Sequence, residues 1–266
     1  MQPEPLVPGS TIGIFGSGQL GRFLAIAAAK LGFKSAVYAP EADGPAFHVA
    51  ARRFRADYRD EAALAEFAKS CDAVTFEFEN VPAYALEVAS RHTIVRPNRR
   101  AAEIAQNRIL EKRFLKGIEL AVAPYATIES EEDLAPAAAL LAGWRSGILK
   151  RAVEGYDGRG QRQLSSPGEL ETAFADLGRP CVLEAKVEFA GELSAIVVRS
   201  PDGQTAVYDC PENRHAGGIL RTSTVPARFS EDLIQHARDS AMRIAHALDY
   251  CGVLAVEYFA MAEGAF

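Results

Sequence analysis

The sequence predicts an α/β part built on a parallel sheet, followed by a larger α+β part. Short apolar segments alternate with segments of helical periodicity over about the first hundred residues, and this alternation favours a parallel sheet with helices on both faces. A small strand–helix unit that contains a glycine-rich loop follows Tyr125. From about residue 188 strands predominate, before one long helix and a last strand.

The elements of the first part follow from apolar patterning and from residues that begin or end helices. We expect strands at 11–15, 34–39, 72–78 and 93–97, with helices after the first three of them. Gly32 is a plausible C′ residue of the first helix, Asp60 an N-cap of the second, and Pro82 lies in the first turn of the third. A connecting helix is predicted over about 101–116.

The second part is predicted to contain two groups of strands. The first group has a strand after 122–125, a helix from about Ser130, a strand ending in Lys150 and Arg151, a helix over 169–177 and a strand at 181–185. Strands at 192–200, 205–210 and 219–225, a helix over 230–248 and a strand from Gly252 form the second group. A returning strand is expected after Glu263 and Gly264.

Composition narrows the class of protein. The 266 residues carry a formal net charge of −6, which argues against nucleic acid as a partner bound through overall charge. The four cysteines form no CxxC pair, so reduced thiols in the cytoplasm are expected. Residues 1–10 have neither the basic start nor the apolar run of a targeting or membrane segment, and we interpret them as a flexible tail.

The segment Gly16-Ser17-Gly18-Gln19-Leu20-Gly21 matches GxGxxG between a strand and a helix. Such a turn lets the backbone approach an anion at a helix N-terminus. A nicotinamide dinucleotide site would need an acidic residue at the end of the second strand, but Glu41 lies beyond Pro40. Two alternatives remain for this turn. One is tight strand-to-helix packing, and the other is a nucleotide-like substrate phosphate or another polar ligand beside Gly18, Gln19 and Leu20.

The segment FEFENVP places Glu77, Glu79 and Asn80 after a predicted strand. Ligands of open parallel sheets bind at that edge, so these side chains could orient a polar substrate. Equally, Glu79 and Asn80 could cap the helix that begins near Pro82.

The segment KRAVEGYDGRGQ places Lys150 at the end of a strand, five residues before Gly155. A lysine held on a strand can neutralise phosphates, and Gly155, Gly158 and Gly160 let backbone N–H groups wrap a terminal phosphate. It is not a Walker A loop. A flexible hairpin loop is the structural alternative.

Three acidic residues follow this loop in chain order. Glu184 lies at a strand end, Glu192 eight residues later, and Glu257 inside the last, apolar strand. Carboxylates that hold Mg²⁺ against nucleotide phosphates would explain Glu257. Alternatively Glu257 points outward, while Val256 and Tyr258 face the core.

Taken together, GSGQLGR, FEFENVP, LKRAVEGYDGRGQ, GELS, GILRTS and GVLAVEYF come in the order and spacing of one family. Over residues 11–266 the chain resembles the ATP-grasp N5-carboxyaminoimidazole ribonucleotide synthetases of purine biosynthesis. The resemblance implies a Rossmann-like domain over 11–105 and an ATP-grasp region over 106–266, with a small lid subdomain at about 122–187 and a larger subdomain at 188–266. It also implies a homodimer in the cytoplasm, with no membrane partner.

The implied reaction is the ATP-dependent carboxylation of 5-aminoimidazole ribonucleotide with bicarbonate, through carboxyphosphate, with Mg²⁺. Lys150 and Arg159 match catalytic residues, and Glu257 matches a Mg²⁺ ligand. Tyr156, Asp157 and Arg159 match loop residues that also face the ribonucleotide. The positions that match ATP contacts are Arg108, Lys150, Gly155, Tyr156, Asp157, Gly158, Arg159, Gly160, Gln161, Glu184, Ala185, Lys186, Val187, Glu192 and His215.

Two departures from the family pattern matter. Glu154 stands where many members have glycine, and the Asn-Glu pair and Ala-Pro-Arg segment expected after the last strand are absent. We therefore expect the chain as given to stop short of the natural end. A formate-dependent glycinamide ribonucleotide formyltransferase and a noncatalytic nucleotide-binding fragment are the alternative functions, and a dinucleotide dehydrogenase fits least.

Overall fold

The computed structural model describes residues 5–153 and 160–261. The chain divides into two compact units. The first comprises Met1–Glu103 with the short segments Ser200–Gly203 and Asp249–Gly252, and the second comprises Ile104–Arg199, Gln204–Leu248 and Val253–Phe266. Each unit is described by itself below.

The first unit is a parallel five-stranded sheet with the order β3-β2-β1-β4-β5. Its strands are β1 (Thr11–Phe15), β2 (Lys34–Ala39), β3 (Arg52–Arg55), β4 (Ala73–Phe76) and β5 (Ile94–Val95). Its helices are α1 (Gln19–Lys30), α2 (Glu61–Lys69) and α3 (Ala83–Ser90). The predicted alternation of strands and helices is confirmed, and β3 is a strand that sequence reasoning missed because its residues RRFR lack an apolar run.

Two apolar clusters lie on this sheet. One packs Phe15, Tyr38 and Phe67 edge-on or tilted, with ring centroids 4.9–5.5 Å apart. The other contains Ile14 and Val37. Adjacent residues of one strand thus enter different clusters, as expected for a sheet covered on both faces.

Helix boundaries follow the capping signals in the sequence. The Asp60 carboxylate accepts a hydrogen bond from the Ala63 amide at 3.0 Å, as predicted for an N-cap. Gly32 follows the C-cap of α1 with φ +82°, as predicted for a C′ glycine. Helix α3 begins directly after Pro82.

The predicted connecting helix over 101–116 is wrong in its continuity. The structure has two helices there, α4 (Arg99–Ala105) and α5 (Arg108–Gly117). The Asn107 side chain accepts hydrogen bonds from the amides of Ile109 and Leu110 at 2.9 and 3.3 Å. An N-cap residue is not itself helical, so the capping by Asn107 begins α5 as a separate helix.

The second unit contains a four-stranded sheet with the order β6-β9-β7-β8, here called the lid sheet. Its strands are β6 (Tyr125–Ile128), β7 (Gly147–Arg151), β8 (Gln161–Leu164) and β9 (Cys181–Ala185), all antiparallel to their neighbours. Helices α6 (Leu134–Gly143) and α7 (Leu170–Leu177) bury Leu141 and Leu170 together with Leu149 and Leu183 of the sheet.

The other sheet of this unit, here called the large sheet, has the order β11-β10-β12-β13, and β14 also pairs with β10. Its members are β10 (Gly191–Arg199), β11 (Thr205–Val207), β12 (Glu212–Ala216), β13 (Ile219–Thr224) and β14 (Gly252–Ala260). Helix α8 (Glu231–Ala247) packs on β10, with Ser230 as its N-cap. Strand β12 was missed by sequence reasoning because its residues ENRHA are polar.

In the ranges 5–153 and 160–261, none of the helices has both the length and the apolar character needed to cross a membrane.

Candidate active site

A partly buried ion pair lies on one face of the lid sheet. Lys150 pairs with Val182 across β7 and β9, and Ile148 pairs with Glu184, so Lys150 and Glu184 are diagonal neighbours on the same face. The Lys150 Nζ atom donates to Glu184 Oε2 at 2.9 Å. The fold thus joins two residues that the sequence placed at the ends of separate strands.

A second lysine, Lys112 on α5, completes this cluster. Its Nζ lies 3.2 Å from Glu184 Oε1 and 5.3 Å from the centroid of the Tyr125 ring. Only 9% of Lys112 is exposed, which is unusual for a lysine. Sequence reasoning missed Lys112, although it lies one helical turn after Arg108 and therefore on the same side of α5.

The two lysines decide the charge state of Glu184. Burial raises the pKa of its carboxyl, but the charges of Lys150 and Lys112, with their hydrogen bonds, outweigh burial and leave that pKa below its ordinary value. Burial also raises the pKa of the nearby Glu111 carboxyl, against the charges of Arg108 and Lys112. Glu184 is therefore the ionised partner of the two ammonium groups.

The glycine-rich loop joins β7 to β8 beside Lys150. Gln161 pairs with Lys150 across the two strands, and the Gly160 carbonyl accepts a hydrogen bond from the Arg151 amide at 2.8 Å. The backbone of Gly160 has φ +70°, which favours glycine at that position. The other predicted loop residues, Gly155, Tyr156, Asp157, Gly158 and Arg159, lie outside the described residues.

The hinge, residues 184–187 at the end of β9, has two backbone amides that are already hydrogen-bonded within the chain. The Ala185 amide donates to the Pro124 carbonyl at 2.8 Å, and the Lys186 amide donates to the Ser146 carbonyl at 3.0 Å. The Lys186 ammonium lies 3.2 Å from Gln163 Oε1 in an exposed position. The adenine base of ATP, if it lies against residues 184–187, would therefore need to bond to the Lys186 carbonyl or to the following residue, Val187.

Glu192 and His215 meet on the large sheet. Glu192 lies on β10, and His215 lies on the neighbouring β12, where the register with β13 shifts between Arg214 and His215. The His215 Nδ1 atom hydrogen-bonds to Glu192 Oε2. Two predicted ATP contacts, 23 residues apart in sequence, thus form one side-chain pair.

A polar network that includes the buried Asn213 and Ser194 side chains lies next to this pair. The Asn213 amide donates to Ser194 Oγ at 2.6 Å, and Ser223 Oγ donates to Asn213 Oδ1 at 2.8 Å. Asn213 pairs with Glu192 in the register of β10 and β12. The network therefore fixes the two strands that carry Glu192 and His215.

Glu257 lies on β14 with its side chain exposed, while residues on alternate positions of the strand are less exposed. The Tyr258 hydroxyl donates to the Ala237 carbonyl of α8 at 3.1 Å, so Glu257 is on the face of the large sheet opposite α8. Within the described part of the chain, no group of three or more His, Cys, Asp or Glu side chains could hold a metal ion.

In the first unit, the glycine-rich turn is occupied by a carboxylate of the chain itself. Glu77 follows β4, and its Oε1 accepts a hydrogen bond from the Gly18 amide at 2.8 Å, at the N-terminus of α1. A Cβ at Gly16 would lie 2.5 Å from Glu77 Oε1, and one at Gly18 would lie 2.8 Å from it. Both glycines are therefore needed for the close approach of Glu77.

The same turn is covered by the segment that follows β2. Glu41 accepts a hydrogen bond from Ser17 Oγ at 3.2 Å, and a Cβ at Gly44 would lie 2.3 Å from that oxygen. The Ala46 amide donates to the Ser17 carbonyl at 3.0 Å. A dinucleotide pyrophosphate here would meet the Glu77 carboxylate, so the geometry argues against the dehydrogenase alternative.

The remaining predicted substrate residues lie at the ends of the two adjacent strands β1 and β4. Gln19 and Leu20 open α1 and are exposed. Glu79 is exposed and Asn80 is half-buried, in the segment between β4 and α3. The fold thus brings the two motifs GSGQLG and FEFENVP to one edge of the parallel sheet.

Comparison with known proteins agrees with both parts of this fold. Residues 9–106 match the ribonucleotide synthetase preATP-grasp domain, and residues 113–266 match the ATP-grasp domain. The predicted fold, an ATP-grasp region preceded by a Rossmann-like parallel-sheet domain, is confirmed.

A relative and two solved structures are similar over nearly the whole chain. N5-carboxyaminoimidazole ribonucleotide synthase of Brucella melitensis is 45% identical over 99% of this chain and 73% of its own length. An ADP complex of N5-carboxyaminoimidazole ribonucleotide synthetase superposes with a TM-score of 0.91 at 39% identity, over 98% of this chain and 69% of that one. The Aspergillus clavatus synthase, in complex with ADP and 5-aminoimidazole ribonucleotide, has a TM-score of 0.84 at 27% identity, over 97% of this chain and 68% of that one.

The identity to a named synthase and the two matched domains agree with the site geometry, and the formyltransferase alternative is not favoured. The chain belongs to the ATP-grasp N5-carboxyaminoimidazole ribonucleotide synthase family.

Proposed function

We propose that this chain is an ATP-dependent ligase that converts 5-aminoimidazole ribonucleotide to N5-carboxyaminoimidazole ribonucleotide in purine biosynthesis. The observation that carries the proposal is the half-buried Lys150 ammonium near the end of β7, where the strand leads into the glycine-rich segment. A cation in that position supports phosphoryl transfer from ATP.

The proposed reaction has two steps with bicarbonate as the carbon source. A bicarbonate oxygen attacks the γ-phosphorus of ATP, the bond to the β,γ-bridging oxygen breaks, and ADP leaves. The ribonucleotide amine then attacks the carbon of carboxyphosphate, the bond to the phosphate oxygen breaks, and the nitrogen releases a proton. The protein contributes positioning and charge neutralisation in both steps, and forms no covalent bond.

Lys150 is proposed to neutralise charge on the ATP phosphates, together with Arg108 on α5. The loop residues Gly155, Gly158 and Gly160 would let backbone amides surround the terminal phosphate, with Gln161 beside Lys150. Arg159 is the other proposed catalytic cation, and Tyr156 and Asp157 are proposed to contact both ATP and the ribonucleotide.

The nucleoside end of ATP is proposed to lie against the hinge and the Glu192–His215 pair. A carboxylate such as Glu192 accepts hydrogen bonds from ribose hydroxyls, and His215 orients it. The adenine base would lie beside Glu184 and Ala185 and hydrogen-bond to the Lys186 carbonyl and to Val187. The Ala185 and Lys186 amides are already hydrogen-bonded to other carbonyls of the chain.

Mg²⁺ is proposed as the accompanying ion. The exposed Glu257 carboxylate fits this ion, which is commonly bound by one or two carboxylates together with substrate phosphates. When bound, Mg²⁺ neutralises phosphate charge, and Glu257 would orient the nucleotide through it.

Gly18, Gln19, Leu20, Glu77, Glu79 and Asn80 are proposed to bind the ribonucleotide. They share one edge of the parallel sheet, where ligands of such sheets bind. We also propose a homodimer in the cytoplasm, and the division of the chain into 1–10, 11–105 and 106–266, with subdomains at 122–187 and 188–266.

The function is tested by ADP release from the full-length protein with ATP and Mg²⁺, with and without bicarbonate and 5-aminoimidazole ribonucleotide. We expect release to require bicarbonate and to rise when the ribonucleotide is added. An equal rate of ADP release with and without the ribonucleotide would refute the substrate assignment. Absence of ATP binding would refute the ligase proposal as a whole.

A further inference from the structure

Glu184 has two cationic partners where one would neutralise it. Lys112 contacts Oε1 at 3.2 Å and Lys150 contacts Oε2 at 2.9 Å, and the exposed fractions of the three side chains lie between 11% and 18%. One carboxylate and two ammonium groups leave one positive charge in excess. This cluster therefore keeps a cation available for an incoming anion without leaving the carboxylate unpaired.

Lys112 lies on a helix whose first turn is attached to the lid sheet. Its helix is capped by Asn107, and the Arg108 amide donates to the Ala152 carbonyl at 2.9 Å. Ile109 packs with Ala152 and Val182, so the first turn of α5 is fixed to β7 and β9. The Lys112 ammonium also lies over the Tyr125 ring, which gives it a second favourable contact.

Lys150 lies at the other end of the cluster. It is the second-last residue of β7, directly opposite Gln161 and next to the connection that contains the glycine-rich loop. Its side chain is also the most exposed of the three, at 18% against 11% for the other two. Lys150 is therefore the more accessible of the two lysines to an incoming anion.

We propose that Lys112 is a positioning residue for ATP, because it keeps the Glu184 carboxylate paired while the Lys150 ammonium turns to the phosphates. This inference rests on the proposed function, since it assigns Lys112 to the same nucleotide site. Lys112 touches no phosphate in this arrangement. Without it, Lys150 would have to remain with Glu184, or leave a buried carboxylate uncompensated when ATP binds.

The test is the dissociation constant of ATP with Mg²⁺, measured by calorimetry on the full chain. We expect Lys112→Met to raise it about tenfold, within the range of couplings in one salt-bridge network. Lys112→Arg keeps the positive charge, so it should bind ATP more tightly than Lys112→Met does. Lys116→Met, an exposed change on the same helix, is the matched control and should leave the constant unchanged.

A double-mutant cycle separates positioning from a general structural effect. In a Glu184→Gln background the buried carboxylate is gone, so adding Lys112→Met should change ATP affinity by less than about twofold. An equal loss in both backgrounds would overturn the inference, because Lys112 would then act without Glu184. Circular dichroism checks folding, and Lys112→Gln, which keeps a donor without the charge, replaces Lys112→Met if that variant unfolds.

The outcomes for the inference and for the proposed function are distinct. If the parent chain binds ATP and Lys112→Met binds it equally well, only the role of Lys112 is overturned. If the parent chain binds no ATP, the proposed function fails, and the role of Lys112 fails with it.

Discussion

The Glu77 carboxylate accepts a hydrogen bond from the Gly18 amide at 2.8 Å, at the N-terminus of α1. In dinucleotide-binding sheets this helix end receives a pyrophosphate. Here the Glu77 side chain, which follows the neighbouring strand β4, supplies the negative charge that the helix N-terminus favours. A glycine pattern shared with dinucleotide sites thus makes room for the Glu77 carboxylate in this chain.

Substitution of Gly16 is expected to destabilise the first unit by two separate effects. Gly16→Ala places a Cβ 2.5 Å from Glu77 Oε1 in a backbone with φ +103°. The unfavourable φ costs about 1 kcal/mol, and the crowding adds about 1–3 kcal/mol. The change in the free energy of unfolding can be measured by urea denaturation.

Gly9→Ala is the matched control for that variant. Gly9 has a similar φ of +98°, but a Cβ there meets nothing within 4 Å. We therefore expect only the backbone cost of about 1 kcal/mol. Equal losses in the two variants would show that contact with Glu77 does not constrain Gly16.

Replacement of Lys150 is expected to abolish turnover while the fold survives. Lys150→Met removes a charge-assisted contact to phosphate in a dehydrated site, which we expect to lower ADP release about a hundredfold or more. The loss of its hydrogen bond to Glu184 costs about 2 kcal/mol of stability, and Lys112 still pairs the carboxylate. Steady-state rates and thermal unfolding of this variant and of Lys116→Met measure both effects, and near-normal turnover would remove Lys150 from the site.

The sequence predicts the elements well where local patterning decides them. Apolar runs predict β1 and β2, and capping residues such as Asp60 predict where helices begin. Strands β3 and β12 are not predicted from the sequence, because their own residues are mostly charged or polar and pairing with neighbouring strands stabilises them. Propensity is weaker evidence for strands because pairing and burial decide them.

The candidate site is only partly readable from the sequence. Spacing within one segment identifies Lys150 and the glycines, because strand and loop are contiguous there. The pairing of Lys112 with Glu184 spans 72 residues and depends on how α5 packs on the lid sheet. No local pattern encodes that contact. The one signal in the sequence is the four-residue spacing from Arg108, which indicates the side of α5 on which Lys112 lies.

Loss of the Asn107 cap is expected to weaken α5 and, with it, the placement of Lys112. Asn107→Ala removes acceptor contacts to the amides of Ile109 and Leu110. We expect a loss of about 1 kcal/mol in the free energy of unfolding, together with weaker ATP binding. Asp60→Ala, which removes the corresponding cap of α2, should cost a similar free energy and leave ATP affinity unchanged. A loss of ATP affinity as large in Asp60→Ala would contradict a specific role for α5.

The acid stability of the chain should depend on Glu184 and Glu111 with opposite signs. The pKa of Glu184 is lowered in the folded chain, since the lysine charges outweigh burial. Its contribution is therefore fully present above its unfolded pKa, about 4.3, and is lost as the pH falls through the folded pKa. Glu184→Gln should lower the free energy of unfolding at pH 7 and flatten its fall below about pH 5.

Glu111, on helix α5, gives the opposite expectation for the pH dependence of stability. Burial raises the pKa of its carboxyl, against the charges of Arg108 and Lys112. Stability from this group is fully present below the unfolded pKa, and is lost as the pH rises through the folded pKa. Glu111→Gln should therefore raise stability at pH 7 relative to pH 4, as measured by urea unfolding at the two values. A variant that instead loses stability at pH 7 relative to pH 4 would show that ionised Glu111 is favoured by its neighbours.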